Sequence, residues 1–110
     1  MEEVYRRAGQ LVFWRFFTPA GRLARAQKKI ARGKYDDATR MLVGMLNKGV
    51  DTALKPAVFL ALAEAETGCG NLGNAGYYAR QCEEILLEGQ HTGDDNGAML
   101  ERAREIHSPA

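Results

Sequence analysis

Apolar residues recur along the chain at the three- and four-residue spacing that is typical of amphipathic helices. Four such segments follow one another between residues 19 and 87, and a shorter fifth segment covers residues 98–107. The side chains predicted to point inward are Leu23, Ala26 and Ile30; Ala38, Met41, Leu42, Met45 and Leu46; Leu54, Val58, Ala61, Leu62 and Ala65; Ala75, Tyr78, Ala79, Cys82, Ile85 and Leu86; and Met99, Leu100, Ala103 and Ile106. No segment alternates as a strand does, so the pattern predicts an all-α fold.

Turn-forming residues mark the ends of these predicted helices. Thr18-Pro19 is an N-cap followed by a proline in the first turn, which predicts a helix from there to residue 31 or 32. Gly33 is predicted to end that helix, and Asp36 or Asp37 to cap the next one. The glycine-rich polar run 88–97 has no apolar member and is predicted to be a loop.

A chain of 110 residues is long enough for one hydrophobic core. We therefore expect a single domain with four parts along the sequence. These are an aromatic N-terminal helix at 1–18, two helical hairpins at 19–87, the polar loop at 88–97 and a C-terminal capping helix at 98–110.

The N-terminal segment carries a cluster of aromatic residues, Phe13, Trp14, Phe16 and Phe17. Three interpretations stay open for this cluster: packing onto the chain's own core, an oligomer contact, or insertion into a membrane interface. The apolar run 11–17 contains Arg15 and is too short to span a bilayer. The chain also opens with acidic residues, unlike a signal peptide, so a cytoplasmic protein is expected.

The net charge of +1 conceals two oppositely charged halves. Residues 1–50 carry 11 basic and 4 acidic side chains, a net charge of +7, and residues 51–110 carry 4 basic and 10 acidic ones, a net charge of −6. A basic half attracts acidic partners, and opposite halves either stack head to tail or neutralise each other within one fold. With an isoelectric point near 7.8 and a strongly acidic second half, a nucleic-acid binder is not expected.

An internal repeat links two predicted turns. Gly33-Lys34-Tyr35-Asp36-Asp37-Ala38 and Gly70-Asn71-Leu72-Gly73-Asn74-Ala75 share a pattern of glycine, polar, apolar, two turn-formers and alanine, 37 residues apart. The first copy resembles the inter-helix turn of the tetratricopeptide repeat family, whose unit is a helix–turn–helix of about 34 residues. Further positions that match the family are Ala26, Phe59, Leu62 and Ala63. The resemblance covers about residues 20–87 and implies antiparallel helical hairpins, with five or six helices in all.

Members of this family bind peptides or proteins on the concave face formed by the first helix of each repeat. The resemblance implies that the face is lined here by Leu23, Gln27, Ile30, Leu60, Glu64 and Thr67. A basic set on the first helix either clamps an acidic motif or forms a solvated face; its members are Arg25, Lys28, Lys29 and Arg32.

Catalytic chemistry is poorly represented in the sequence. His91 and His107 have no nucleophile or carboxylate at a recognised catalytic spacing, and Cys69 and Cys82 are too isolated for a zinc site. We therefore expect no enzyme, cofactor or metal, and an enzyme would require one of the histidines beside a nucleophile or carboxylate in a cleft. The predicted function is non-enzymatic binding of a protein or peptide. The alternatives are a homo-oligomeric scaffold assembled through the aromatic N-terminal helix and a membrane-surface adaptor.

Overall fold

Five α-helices make up the part of the chain that the computed structural model describes, residues 18–88 and 94–107. They are α1 (Pro19–Ala31), α2 (Tyr35–Lys48), α3 (Lys55–Cys69), α4 (Leu72–Glu88) and α5 (Asp94–His107). These residues contain no strand, which confirms the all-α class. The predicted aromatic helix at 1–18 lies almost wholly outside the described residues.

Local capping explains where α1 begins. The backbone N–H of Gly21 donates to Thr18 Oγ1 at 3.1 Å, and Pro19 occupies the first turn, where its missing N–H removes no helical hydrogen bond. A glycine marks the C-terminal end of α3. Gly70 follows that helix with a φ of 84°, a left-handed conformation that glycine adopts without strain. Both ends agree with the sequence prediction.

Two predicted helix starts are wrong. The helix α2 begins at Tyr35, and its N-cap is Lys34, whose side chain makes no capping hydrogen bond. Asp36 and Asp37 therefore lie in the first turn, where their charge still suits the helix dipole. The last helix begins at Asp94, four residues before the predicted start at Ala98, so the connection after α4 is shorter than the predicted loop 88–97.

The buried side chains form two clusters on either side of α3. The first lies between α1, α2 and α3 and contains Leu42, Val58 and Leu62, all fully buried. The second lies between α3, α4 and α5 and contains Cys82 and Leu86 among small alanines. Because α3 contributes to both clusters, it is the central helix, as its nearly continuous apolar sequence predicts.

The helices contact one another in a regular order. Each helix contacts the next one in sequence, α1 also contacts α3, and α3 also contacts α5, whereas α2 and α4, both fully described, do not touch. The α1–α2 and α3–α4 turns lie side by side as well. The Tyr35 ring packs on Gly68, and the Cys69 thiol donates to an Asp36 carboxylate oxygen at 3.2 Å.

Candidate functional site

The residues predicted to bind a partner differ in how far the fold buries them. Leu23 is 7% exposed and belongs to the first core cluster, as its place in the inward stripe of α1 requires. Ile30 and Leu60 are half-buried against the first and second clusters. Gln27 and Thr67 are exposed, and the Thr67 hydroxyl donates to the Ala63 carbonyl at 2.8 Å.

An ion pair between Glu64 and Arg102 joins α3 and α5. Arg102 Nε donates to Glu64 Oε1 at 3.4 Å, and Arg102 Nη1 donates to Glu105 Oε2 at 3.0 Å. The hydrogen bond to Glu105, together with that to Glu64, raises the pKa of the Arg102 guanidinium. Arg102 was not among the predicted site residues, because nothing local to the last helix connects it with a carboxylate 38 residues earlier.

A basic cleft of about 260 Å³ lies between α1 and α2. Its lining combines four cations with an apolar floor: Arg22, Arg25, Arg40 and Lys48, with Met41, Gly44 and Met45. We call this surface the α1–α2 cleft. Of the basic set predicted from the sequence, Arg25 is its only lining member.

The rest of the predicted basic set lies beside the α1–α2 cleft or on solvent-facing parts of α1. Lys29 pairs with Asp37 at 3.9 Å, and Lys28 and Arg32 are exposed. Of the three lining cations outside the predicted set, two, Arg40 and Lys48, come from α2. Arg40, Gly44 and Lys48 are spaced four residues apart and so share one helix face, which is the signal that could have found them.

A second cleft, of about 440 Å³, opens between α4, α5 and the end of α3. Its lining residues are Thr67, Leu72, Gly73, Gly76, Tyr77, Arg80, Arg102, Glu105, Ile106 and His107. His107 Nε2 contacts Glu83 Oε2, and Arg104 Nε donates to Glu83 Oε1 at 3.4 Å. These partners, His107 first, hold the pKa of the Glu83 carboxyl below its usual value.

His107 lines this cleft and contacts the Glu83 carboxylate, so it meets the condition set above for an enzyme, a histidine beside a nucleophile or carboxylate in a cleft, although Glu83 itself is not a lining residue. The nucleophile nearest to Glu83 in sequence is the Cys82 thiol, but this side chain is fully buried, and burial raises the pKa of the thiol to about 11. The Thr67 hydroxyl, which also lines the cleft, already donates a hydrogen bond to the Ala63 carbonyl. Because Arg104 shares the same carboxylate, the arrangement acts as a charged connection between α4 and α5.

Some predicted sites fall outside the described residues, among them the aromatic cluster of Phe13, Trp14, Phe16 and Phe17 and the loop residue His91. Within residues 18–88 and 94–107, no three histidine, cysteine or acidic side chains are grouped so that they could hold a metal ion. In the same part of the chain, no helix combines the length and the apolar character needed to cross a membrane.

Comparison of the chain with protein-family models, with curated proteins and with solved structures found no match in any of the three. The resemblance to the tetratricopeptide repeat family therefore rests on the residues of the two turns and of the helices around them.

Proposed function

We propose that the chain is a non-enzymatic protein–protein interaction module, built as a degenerate pair of tetratricopeptide-like hairpins with α5 as a cap. In this proposal a peptide or partner protein binds across the face formed by α1, α3 and α5. The observation that carries it is the contact order of the helices, in which α1, α3 and α5 touch in succession while α2 and α4 stay apart. Stacked helical hairpins have this order, because the first helix of each hairpin packs on the first helix of the next.

The adjacent turns also support a repeat. Tyr35 follows the first turn glycine by two residues and packs on Gly68, which precedes the second turn glycine by two. Two turns with the same pattern, 37 residues apart in sequence, thus lie next to each other in space. In a solenoid, equivalent turns of neighbouring repeats are stacked in this way.

The chemistry of the proposed binding face suits a mixed polar and apolar segment. Leu60 supplies a half-buried apolar surface, Gln27 an exposed amide, and Glu64 and Arg102 an ion pair whose charges lie at the surface. Exposed pairs of this kind contribute little to folding stability, so they are available for exchange with the charges of a partner.

Site-specific photo-crosslinking tests this proposal. A crosslinking amino acid placed at Gln27 or Thr67 is expected to capture a partner in extracts of the source cells, whereas the same group at exposed Asn47 on α2 is the matched control. The captured protein is then purified and titrated calorimetrically against the full chain and its Glu64→Ala/Arg102→Ala variant.

Crosslinking that is confined to Gln27 and Thr67, followed by weaker binding of the double variant, would support the proposed face. Equal crosslinking from Asn47, or unchanged affinity of the double variant, would contradict it. The homo-oligomeric scaffold and the membrane-surface adaptor remain alternative predictions, since both depend on residues 13–17.

A further inference from the structure

The α1–α2 cleft is basic at its rim and apolar at its floor. Among the described residues, Asp37 pairs with two cations at the edge of this cleft, Lys29 at 3.9 Å and Arg40 at 3.5 Å. Arg22 and Lys48 line the cleft from opposite helices, and Met45 is almost fully buried beneath them. A ligand that fits this surface has an apolar side chain flanked by negative charges.

An exposed surface of that composition occurs on α4. Leu87 is 59% exposed, and Glu84 and Glu88 are exposed beside it. The spacing of three and four residues places these side chains on one helix face. We call this group, Glu84, Leu87 and Glu88, the α4 ridge.

The α4 ridge and the α1–α2 cleft of one chain belong to helices that do not touch. Among the described helices, α4 contacts α3 and α5, and neither α1 nor α2 reaches it. Contact between these two surfaces therefore requires a second copy of the chain.

We propose that the α4 ridge of one copy docks in the α1–α2 cleft of another. Leu87 then covers Met41 and Met45, and the two ridge carboxylates face the cations of the cleft. The dimensions agree, since the four residue steps from Glu84 to Glu88 span about 6 Å and the eight steps from Arg40 to Lys48 span about 12 Å along their helices, so the cleft is long enough to hold the ridge. The opposite net charges of the two halves, +7 and −6, favour the same head-to-tail orientation.

This contact is heterologous, because each copy offers one cleft and one ridge. Repetition of the contact produces open chains of increasing length unless the rotation between copies closes a ring. The proposal does not depend on partner binding at the α1–α3–α5 face, which uses different residues.

Sedimentation velocity of the full chain over a range of concentrations and at two salt levels tests the proposal. The mean mass is expected to rise with concentration and to fall at high salt, because the flanking charges lie at the rim of the contact. Arg22→Glu/Lys48→Glu and Glu84→Lys/Glu88→Lys are each expected to weaken association by about tenfold or more, as loss of close interfacial charge pairs does. Asp51→Lys/Glu101→Lys, at exposed positions elsewhere, has the same charge change as Glu84→Lys/Glu88→Lys and is the control for that variant.

The variant that carries both reversals provides the decisive measurement. Its charges are again complementary, so association is expected to return, which a general loss of folding could not produce. Circular dichroism of each variant establishes that the helices are retained. The proposal would be overturned if the wild-type chain were monomeric at all concentrations. That result is expected if residues 1–17 or a foreign acidic peptide occupy the cleft. Association that is insensitive to both reversals, or that does not return in the combined variant, would overturn the proposal as well.

Discussion

The contact between Tyr35 and Gly68 offers a direct test of how the two hairpins stack. A methyl group added at Gly68 would overlap three atoms along one edge of the Tyr35 ring, Cδ1, Cε1 and Cζ. Since these atoms lie in the body of the ring, relief requires the whole half-buried ring to move away from α3. Gly68→Ala therefore perturbs the junction between the α1–α2 turn and the end of α3.

The size of the effect follows from two opposed contributions. Replacing a helical glycine by alanine stabilises a helix by up to about 1 kcal/mol. Overfilling a packed contact costs about 1–3 kcal/mol. At Gly76, on α4, an added Cβ would meet no atom within 4 Å, so Gly76→Ala keeps the first contribution and avoids the second. The two variants are expected to differ by about 1–3 kcal/mol in the free energy of unfolding, with Gly68→Ala the less stable.

Urea unfolding followed by circular dichroism measures this difference, and thermal unfolding should show a Tm gap of at least about 4 °C for a domain of this size. Introducing Gly68→Ala into a Tyr35→Ala background removes the overlap, so alanine should there become stabilising. If Gly68→Ala stabilised the wild-type chain as much as Gly76→Ala does, the ring would not lie on Gly68, and the stacking of the two turns would be refuted.

Three further outcomes are expected. Because the pKa of Glu83 is lower in the folded chain than in the unfolded one, the free energy of unfolding should fall as the pH drops from 4.5 through the folded pKa. In urea titrations Glu83→Gln should make the free energy of unfolding depend less on pH, and an unchanged pH dependence would contradict this prediction. Ellman's reagent should react with the Cys69 thiol in the folded chain and with the buried Cys82 thiol only after unfolding. Because the hydrogen bond to Asp36 raises the pKa of the Cys69 thiol, Asp36→Asn should increase the rate at which Cys69 reacts, and an unaltered rate would count against that hydrogen bond. Leu62→Ala should lower the free energy of unfolding by about 2–5 kcal/mol, and a loss well below about 1 kcal/mol would show that the side chain is not fully buried.

The helix limits that could be predicted are those set by neighbouring residues. The Thr18 cap acts over three residues and Gly70 acts through its own φ, so sequence spacing is enough to find them. The start of α2 illustrates the opposite case. Asp36 and Asp37 satisfy the usual preference for capping, yet the helix includes Tyr35, whose ring packs on a residue 33 positions later. A tertiary contact of this kind is invisible to rules that consider one helix at a time.

The candidate surfaces were harder to foresee for the same reason. Helical periodicity separates inward from outward side chains, but it does not set the rotation of one helix against another. Arg25 was recognised from α1 alone, whereas the α1–α2 cleft also needs Arg40 and Lys48 from the facing helix. Likewise Glu64 was predicted as a binding residue without its partner Arg102, which the packing of α5 on α3 supplies.

The division of charge along the sequence becomes a division in space because of the contact order of the helices. The sequence alone allowed the two halves to neutralise each other, but neither α1 nor α2 contacts α4 or α5 among the described helices. The ion pairs described above also stay within a half, as Lys29 with Asp37 and Arg102 with Glu64 illustrate. Since no described helix contacts another that is more than two positions away along the chain, the mainly basic helices α1 and α2 lie on one side of α3 and the mainly acidic helices α4 and α5 on the other. The described helices thus present unlike charges on opposite sides of α3, which is the property that head-to-tail association requires.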